Sequence, residues 1–321
     1  MINLNKRPKN KKQNFMKFKI MNKISAWRVV FTGLLIIGFF FSCNSRINDP
    51  VNENNDPIVK PVGLKNYFEI ATWNIEFFPK NGTKTINLVK DIIRDLDIDM
   101  IAVQEIASIS SFNILLDSLD GWKGILSADE YSNGSYQKTG ILYKSDFISV
   151  SSVHNIFLND PDPFPRPPLS AFVEIKDVNG KQYDFSIIVL HLKAFGDDPS
   201  EERRRKAIVK LEDFISKEIE NGADPDFIVI GDWNDRVSDT GSNNVFLPFL
   251  DNPDQYLFIT DTLKTAIDHI LITSDSWGEF GDGEIERLDQ LTQLGFNYDE
   301  LVSDHLPIMA RFKGFNISTS K

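Results

Sequence analysis

Carboxylates, carboxamides and imidazoles recur in this sequence at the ends of apolar runs. Ile228-Val229-Ile230-Gly231-Asp232-Trp233-Asn234-Asp235 shows the pattern most plainly. Its β-branched run, bounded upstream by Pro225, reads as a buried strand that stops where polar chemistry starts. If the backbone stays extended, Asp232 and Asn234, at i and i+2, face one point in space. Hard oxygen donors of this kind suit Mg²⁺, Mn²⁺ or Ca²⁺ rather than zinc. The plainer alternative is an Asx-turn closing the strand, with both side chains bonding their own backbone.

Other stretches repeat the theme. Tyr67 to Ile75 delivers Trp73-Asn74-Ile75-Glu76, where Asn74 and Glu76 would share a face at a strand end. Glu105 follows Met100-Ile101-Ala102-Val103-Gln104. A carboxylate buried alone there is costly, so it calls for a metal or an arginine. His191 closes the run Tyr183 to Leu192. Asp268-His269 and Ser303-Asp304-His305 place two Asp-His pairs at strand mouths, and the chain has only four histidines. Hydrogen bonding explains one such pair; two are harder to dismiss. His154 and His269 are given no chemistry. Arg166 lies in the proline-crowded loop Phe157 to Pro168, where its planar fork can clamp a phosphate or simply be solvated. These are the parts that phosphate-ester hydrolysis needs. It must stabilise charge on equatorial and leaving oxygens while activating water. A metal supplies charge, and a histidine with an ordinary pKa of about 6.5 serves as base near neutral pH.

The positioning elements follow from periodicity. Ile86, Val89, Ile92, Ile93 and Leu96 fall at helical spacing, with Thr83 or Thr85 available as cap. Short strands are expected over Asp97–Val103, Thr139–Tyr143, Ala266–Ile272 and Ile308–Phe312. A charged helix begins near Pro199-Ser200-Glu201-Glu202. Its Arg203-Arg204-Arg205-Lys206 cluster, with acidic neighbours, reads as a salt-bridged face rather than a nucleic-acid patch, although one arginine can still reach the site. Ser238 to Leu263 and Thr273 to Val302 read as irregular. No internal repeat is visible, and residues 67–321 read as one catalytic domain.

At 321 residues and 41% apolar content the chain can bury a sizeable core. Residues 1–42 hold nine Lys or Arg and no acid, so the remainder carries 26 basic against 46 acidic residues, a net of −20. So acidic a body has no general pull on nucleic acid. Polyanionic substrates would need bound metal and a few local cations. Lys17, Lys19, Lys23 and Arg28 precede the apolar run Val29 to Phe41 and Ser42-Cys43, so 1–42 reads as a lipoprotein-type signal peptide. The run is short for a transmembrane span. Cys43, the sole cysteine, would carry the lipid; an uncleaved anchor is the alternative. Residues 43–66 read as a flexible tether. The body is expected to be exported, as an outer-membrane or cell-surface lipoprotein, alternatively periplasmic or extracellular.

Taken in order, Trp73-Asn74-x-Glu76, Gln104-Glu105, His191-Leu192, Gly231-Asp232-x-Asn234, Asp268-His269 and Ser303-Asp304-His305-Leu306-Pro307 resemble the endonuclease/exonuclease/phosphatase superfamily. The resemblance implies a DNase I-like four-layer α/β sandwich, two mixed β-sheets packed face to face with helices outside. It implies Asn74 and Glu105 as principal Mg²⁺ ligands, with Glu76 and Asp304 nearby. It makes His305 the general base, Asp268 its orienting carboxylate, and His191, Asp232 and Asn234 the groups acting on the phosphate. Arg166 would contact a non-bridging oxygen. The expected function is a Mg²⁺-dependent phosphodiesterase, most simply a nuclease. A phosphatase or phospholipase C-type hydrolase on phospholipid or sugar phosphates is the alternative, and Phe157, Phe164 and Trp277 are its candidate membrane aromatics. An inactive binding module is a third reading.

Overall fold

The computed structural model describes residues 56–315, apart from 132–133, 242–243, 264–265 and 282. The leader and Cys43 lie outside the described residues. Among the described residues no helix is long and apolar enough to cross a membrane.

Alternation in the sequence becomes two six-stranded mixed sheets. In chain order the strands are β1 (Tyr67–Phe78), β2 (Met100–Ile106), β3 (Trp122–Leu126), β4 (Lys138–Lys144), β5 (Ile148–Asn155), β6 (Leu169–Lys176), β7 (Gln182–His191), β8 (Phe227–Asp232), β9 (Tyr256–Phe258), β10 (Asp268–Thr273), β11 (Ile285–Arg287) and β12 (Ile308–Lys313). One sheet runs β11-β12-β1-β2-β4-β3 and the other β5-β6-β7-β8-β10-β9. Helices α1 (Thr83–Leu96) and α2 (Ile109–Asp117) cover the first sheet, and α3 (Asp198–Glu220) covers the second.

Side-chain parity assigns each residue its layer. Phe68 and Ile70 of β1, Met100 and Ala102 of β2, Ile228 and Ile230 of β8, and Ile270 and Ile272 of β10 meet in the seam between the sheets. Ala71, Trp73 and Ile75 turn the other way, onto Ile86, Val89, Ile92 and Ile93 of α1. Leu190, Val229 and Leu271 pack on Ala207, Ile208, Leu211 and Ile215 of α3. Layers α, β, β and α therefore enclose three apolar interfaces, which is the expected four-layer sandwich.

Several local expectations change. Of the tether expected over 43–66, the described part is packed on the body. Val59 and Val62 are buried, Val62 and Gly63 donate to the Leu96 carbonyl, and Ile58 N–H donates to Asp95 at 2.6 Å. The two valines supply apolar anchors that the polar composition around them conceals. Helix α1 starts after Gly82 with no side-chain cap; the Thr85 hydroxyl instead accepts from Asn81 N–H and donates to the Leu301 carbonyl. The stretch 273–302, which reads as irregular, contributes β11 and short helical turns.

Candidate active site

The parity that builds the seam also delivers its polar end. Asn74 has the parity of Phe68 and Ile70, Asp232 that of Ile228 and Ile230, His191 that of Ile187 and Val189, and Asp268 that of Ile270 and Ile272. All four thus point into the gap between the sheets, at one rim. Pairing sets their alignment, since His191 lies beside Asp232 across parallel β7 and β8, and Asp268 opposite Asp232 across antiparallel β8 and β10. Gly231 makes that pairing possible. It has φ +148, and a Cβ there would lie 2.0 Å from the Leu190 carbonyl oxygen. Asn74 Nδ2 donates to Asp232 Oδ2 at 3.0 Å and so ties one sheet to the other.

Glu105 arrives by a different route. Its parity matches Ile101 and Val103, which face the helices. A break in register between Val103 and Ile106 and a left-handed φ of 63° turn it into the seam instead. There Oε1 accepts from Asn74 Nδ2 at 3.2 Å, and Oε2 accepts from Phe77 N–H and Gln137 Nε2, each at 3.1 Å. Of the eight non-glycine residues with positive φ among the described residues, Glu76, Phe77 and Glu105 lie at the rim ends of β1 and β2, and Phe195 and Asn234 in the loops after β7 and β8. Backbone strain is concentrated where the functional groups are aimed.

His305 reaches the rim from the loop before β12. Its Nδ1 bonds Asp268 Oδ2 at 2.8 Å, and its Nε2 lies 3.9 Å from both Asp232 Oδ2 and Asp304 Oδ1. The loop is fixed twice. Ser303 Oγ donates to the Asn74 carbonyl at 2.7 Å and accepts from His305 N–H, while Tyr298 Oη accepts from Trp73 Nε1 at 3.0 Å and donates to the His305 carbonyl at 2.8 Å.

Charge follows from this packing. Burial raises the Asp232 carboxyl to about 7, and the neighbouring Asp268 charge adds to the effect. Burial works against charge on His305, but its bond to Asp268 and the fields of Asp268, Asp232 and Asp304 raise it to about 10. Burial, with Arg166 and His305 nearby, holds His191 well below its ordinary value. One histidine is thus neutral and the other cationic when only the chain's own charges act.

Asn74, Glu105, His191, Asp232, Asp268 and His305 therefore converge, and four expected site residues are placed otherwise. Glu76 does not share a face with Asn74. With φ 24 the chain leaves the extended form, so its carboxylate pairs with Lys80 and accepts from Asp304 N–H at 3.0 Å. Asp304 itself is exposed at the rim. Asn234, with φ 55, forms the Asx-turn: its N–H donates to Asp232 Oδ1 at 2.9 Å and its Nδ2 to the Leu192 carbonyl. Arg166 is buried rather than solvated, its guanidinium donating to the His191 and Leu192 carbonyls and to Gln137 Oε1. Gln137, Tyr298 and Arg204 are the supporting residues that sequence reasoning missed. Only Arg204 had a signal, as one of the four cations expected on α3. His269 is structural, bonded to Thr260 and the Asp235 carbonyl. His154 is exposed on β5, bonded to the Ser152 carbonyl.

The rim fits a hard divalent cation. Asp232, Asp268 and His305 offer ligand atoms within 4.8 Å of one another. Asp268 Oδ1 is buried without a hydrogen-bond partner among the described residues, and Glu105 and Asn74 add further oxygens. Grouped carboxylates of this kind are relieved by positive charge. A second cleft, of about 450 Å³ beside Arg94, Trp122 and Lys144, has no such constellation; Lys144 is spent on Asp97 and Asp99.

Solved structures share this architecture. The human Nocturnin catalytic domain, solved with a sulfate anion, is 18% identical with a TM-score of 0.53, over 78% of this chain and 96% of that one. A mannosyl-6-phosphatase from Bacteroides thetaiotaomicron is 15% identical with a TM-score of 0.53, over 76% and 99%. TDP2 from D. rerio, complexed with single-strand DNA product, is 12% identical with a TM-score of 0.53, over 77% and 99%. At such identities the likeness speaks for the fold. Comparison with curated proteins gives no match. The model of the Endonuclease/Exonuclease/phosphatase family matches residues 71–305, from β1 to His305, and the chain belongs to that family of phosphoesterases.

Proposed function

We propose that the protein is a Mg²⁺-dependent phosphodiesterase, exported and lipid-anchored through Cys43, that hydrolyses nucleic acid by direct water attack. The observation that carries the reading is the Asp268–His305 pair, bonded at 2.8 Å, set against the buried Asn74–Asp232–Glu105 cluster. Glu105, Asp232 and Asp268, with Asn74 beside them, are the residues that would hold the cation, Mg²⁺ by donor hardness and otherwise Mn²⁺ or Ca²⁺. When bound, it supplies charge that stabilises phosphate oxygens and makes water more acidic.

The chain's own residues do the rest. Asp268 fixes Nδ1–H of His305 and leaves Nε2 facing the site, where it takes the proton of the attacking water. Positive charge placed among the carboxylates opposes the field that keeps this imidazole protonated, which returns it to the range where it accepts a proton. His191, neutral and beside Asp232 at 3.5 Å, donates from Nε2 toward a phosphoryl oxygen. Arg166 sits behind His191 and adds fixed positive charge to the same side. No nucleophilic side chain is required.

The related folds include a TDP2 complexed with single-strand DNA product and a mannosyl-6-phosphatase, so both substrate classes are within reach of this fold. The acidic body favours a second reading, a phosphatase or phospholipase C-type enzyme on sugar phosphates or phospholipids. The deciding experiment incubates purified protein and Mg²⁺ with DNA, RNA, sugar phosphates and phospholipid vesicles. Oligonucleotide cleavage supports the nuclease reading. Turnover of small esters or lipid with intact nucleic acid replaces it with the second.

A further inference from the structure

Phe195 stands out on the rim. It follows His191 by four residues, the residue is 72% exposed, and its φ is 82. A bulky aromatic in the left-handed region and in water gains nothing from burial and is conformationally unfavourable. Yet the conformation is held from both sides. Arg204 of α3, itself buried, donates through Nη1 to the Lys193 carbonyl at 2.9 Å and the Phe195 carbonyl at 2.7 Å. Its Nε bonds Asp235 Oδ2 at 2.8 Å, and His269 Nε2 lies 3.0 Å from the Asp235 carbonyl. The clamp therefore fastens the loop after His191 to the loop after Asp232 and to β10, which carries Asp268. The ring stands on the same frame as the catalytic groups.

The ring's surroundings define what it can take. Lys193 Nζ sits 4.2 Å from the ring centroid and covers one face, leaving the other for a ligand. A second exposed phenylalanine, Phe77, has φ 49, and its N–H bonds the catalytic Glu105. A flat apolar surface with a cation against it, beside a phosphoesterase centre, suits a ligand joining a planar ring to negative charge. An unstacked nucleotide has both. The body's net −20 weighs equally against an anionic membrane surface and a nucleic-acid strand, so the choice rests on the planar ring, which a phospholipid headgroup lacks.

We propose that Phe195 is a stacking platform for an unpaired base next to the scissile phosphate, presented by the Arg204–Asp235 clamp and faced by Lys193. The inference rests on the phosphodiesterase reading and specifies single-stranded nucleic acid as the substrate. It is tested with Phe195→Ala and Phe195→Trp on single-stranded oligonucleotides that carry bases or abasic sites beside the cleavage position. Phe195→Ala is expected to raise KM about tenfold on the base-bearing strand, with kcat within about twofold. Phe195→Trp is expected to restore KM, and the loss is expected to shrink below twofold on the abasic strand. Equal KM values for wild type and Phe195→Ala on the base-bearing strand overturn the proposal while leaving the nuclease reading intact. If wild type cleaves no oligonucleotide, the nuclease reading fails instead, and binding still decides this one. Tryptophan emission of Phe195→Trp, taken relative to wild type, should be quenched by base-bearing but not abasic strands. A blue shift on phosphatidylcholine vesicles without quenching by oligonucleotide assigns the ring to a membrane and overturns the proposal.

Discussion

Replacing Asp268 by Asn isolates the contact on which the chemistry turns. The carboxylate bonds His305 Nδ1 at 2.8 Å, and that bond and charge, against the opposing effect of burial, account for most of the rise of the imidazole to about 10. From an ordinary 6.5 the rise corresponds to about 5 kcal/mol at ~1.4 kcal/mol per pH unit. Asp232 and Asp304 supply part of it and remain in the variant, so the Asp268 share is smaller, on the order of 3 kcal/mol. Asn keeps the size of the side chain and removes its charge. The His305 ring signals of the metal-free protein should therefore titrate about two pH units lower than in wild type. The variant's kcat with Mg²⁺ should fall by about 10²–10⁴, because the imidazole loses both its fixed tautomer and support for its developing charge and the cation loses a charged ligand, so the metal-free titration is what isolates the His305 contact. Ring-nitrogen NMR titration and steady-state kinetics on one phosphodiester read the two effects. A His305 titration unmoved by the substitution would refute the reasoning, whatever happened to the rate.

Further outcomes follow from the frame around the site. Gly231→Ala places a Cβ 2.0 Å from the Leu190 carbonyl, so it should destabilise by on the order of 3–5 kcal/mol and abolish activity, read by urea midpoint and turnover. Tyr298→Phe strands the buried Trp73 N–H and frees the His305 carbonyl. It should cost about 1–3 kcal/mol and lower kcat rather than raise KM. His269 is depressed to about 4 by burial. Its contribution is therefore present above pH 6.5 and lost as pH falls through 4, about 3 kcal/mol in all. Denaturant unfolding from pH 7 to 4 should show that loss, and His269→Gln should flatten it.

The sequence carried the parity-driven part of this architecture. Asn74, His191, Asp232 and Asp268 continue regular strands, so period-two alternation put them on the seam side, and the expected four-layer sandwich followed from the resemblance of their motifs. Where the backbone leaves the extended form, the shared face at i and i+2 is lost: left-handed φ values redirect Glu76 and Asn234, and for Asn234 the Asx-turn alternative is the one that forms. Glu105 shows the reverse case, since only a register break brings it inward. The α3 cations form the expected salt-bridged face, with Arg205 on Glu201 and Glu202 and Arg203 on Asp162. Arg166 and Arg204 are legible as cations but not as loop clamps, because the backbone carbonyls they also hold leave no trace in residue type. Gln137 and Tyr298 carry no spacing signal at all, and Val59 and Val62 anchor a segment whose composition reads as linker.

The central claim is that Asn74, Glu105, His191, Asp232, Asp268 and His305 form one cation-dependent hydrolytic centre. Phosphodiester turnover by the purified protein, measured against Mg²⁺ before and after EDTA and in Glu105→Ala, tests it most directly. The account predicts saturable Mg²⁺ activation, complete loss with chelator, restoration on adding Mg²⁺ back, and at least a hundredfold deficit in the variant. Turnover that persists in EDTA, or that Glu105→Ala leaves undiminished, would contradict it.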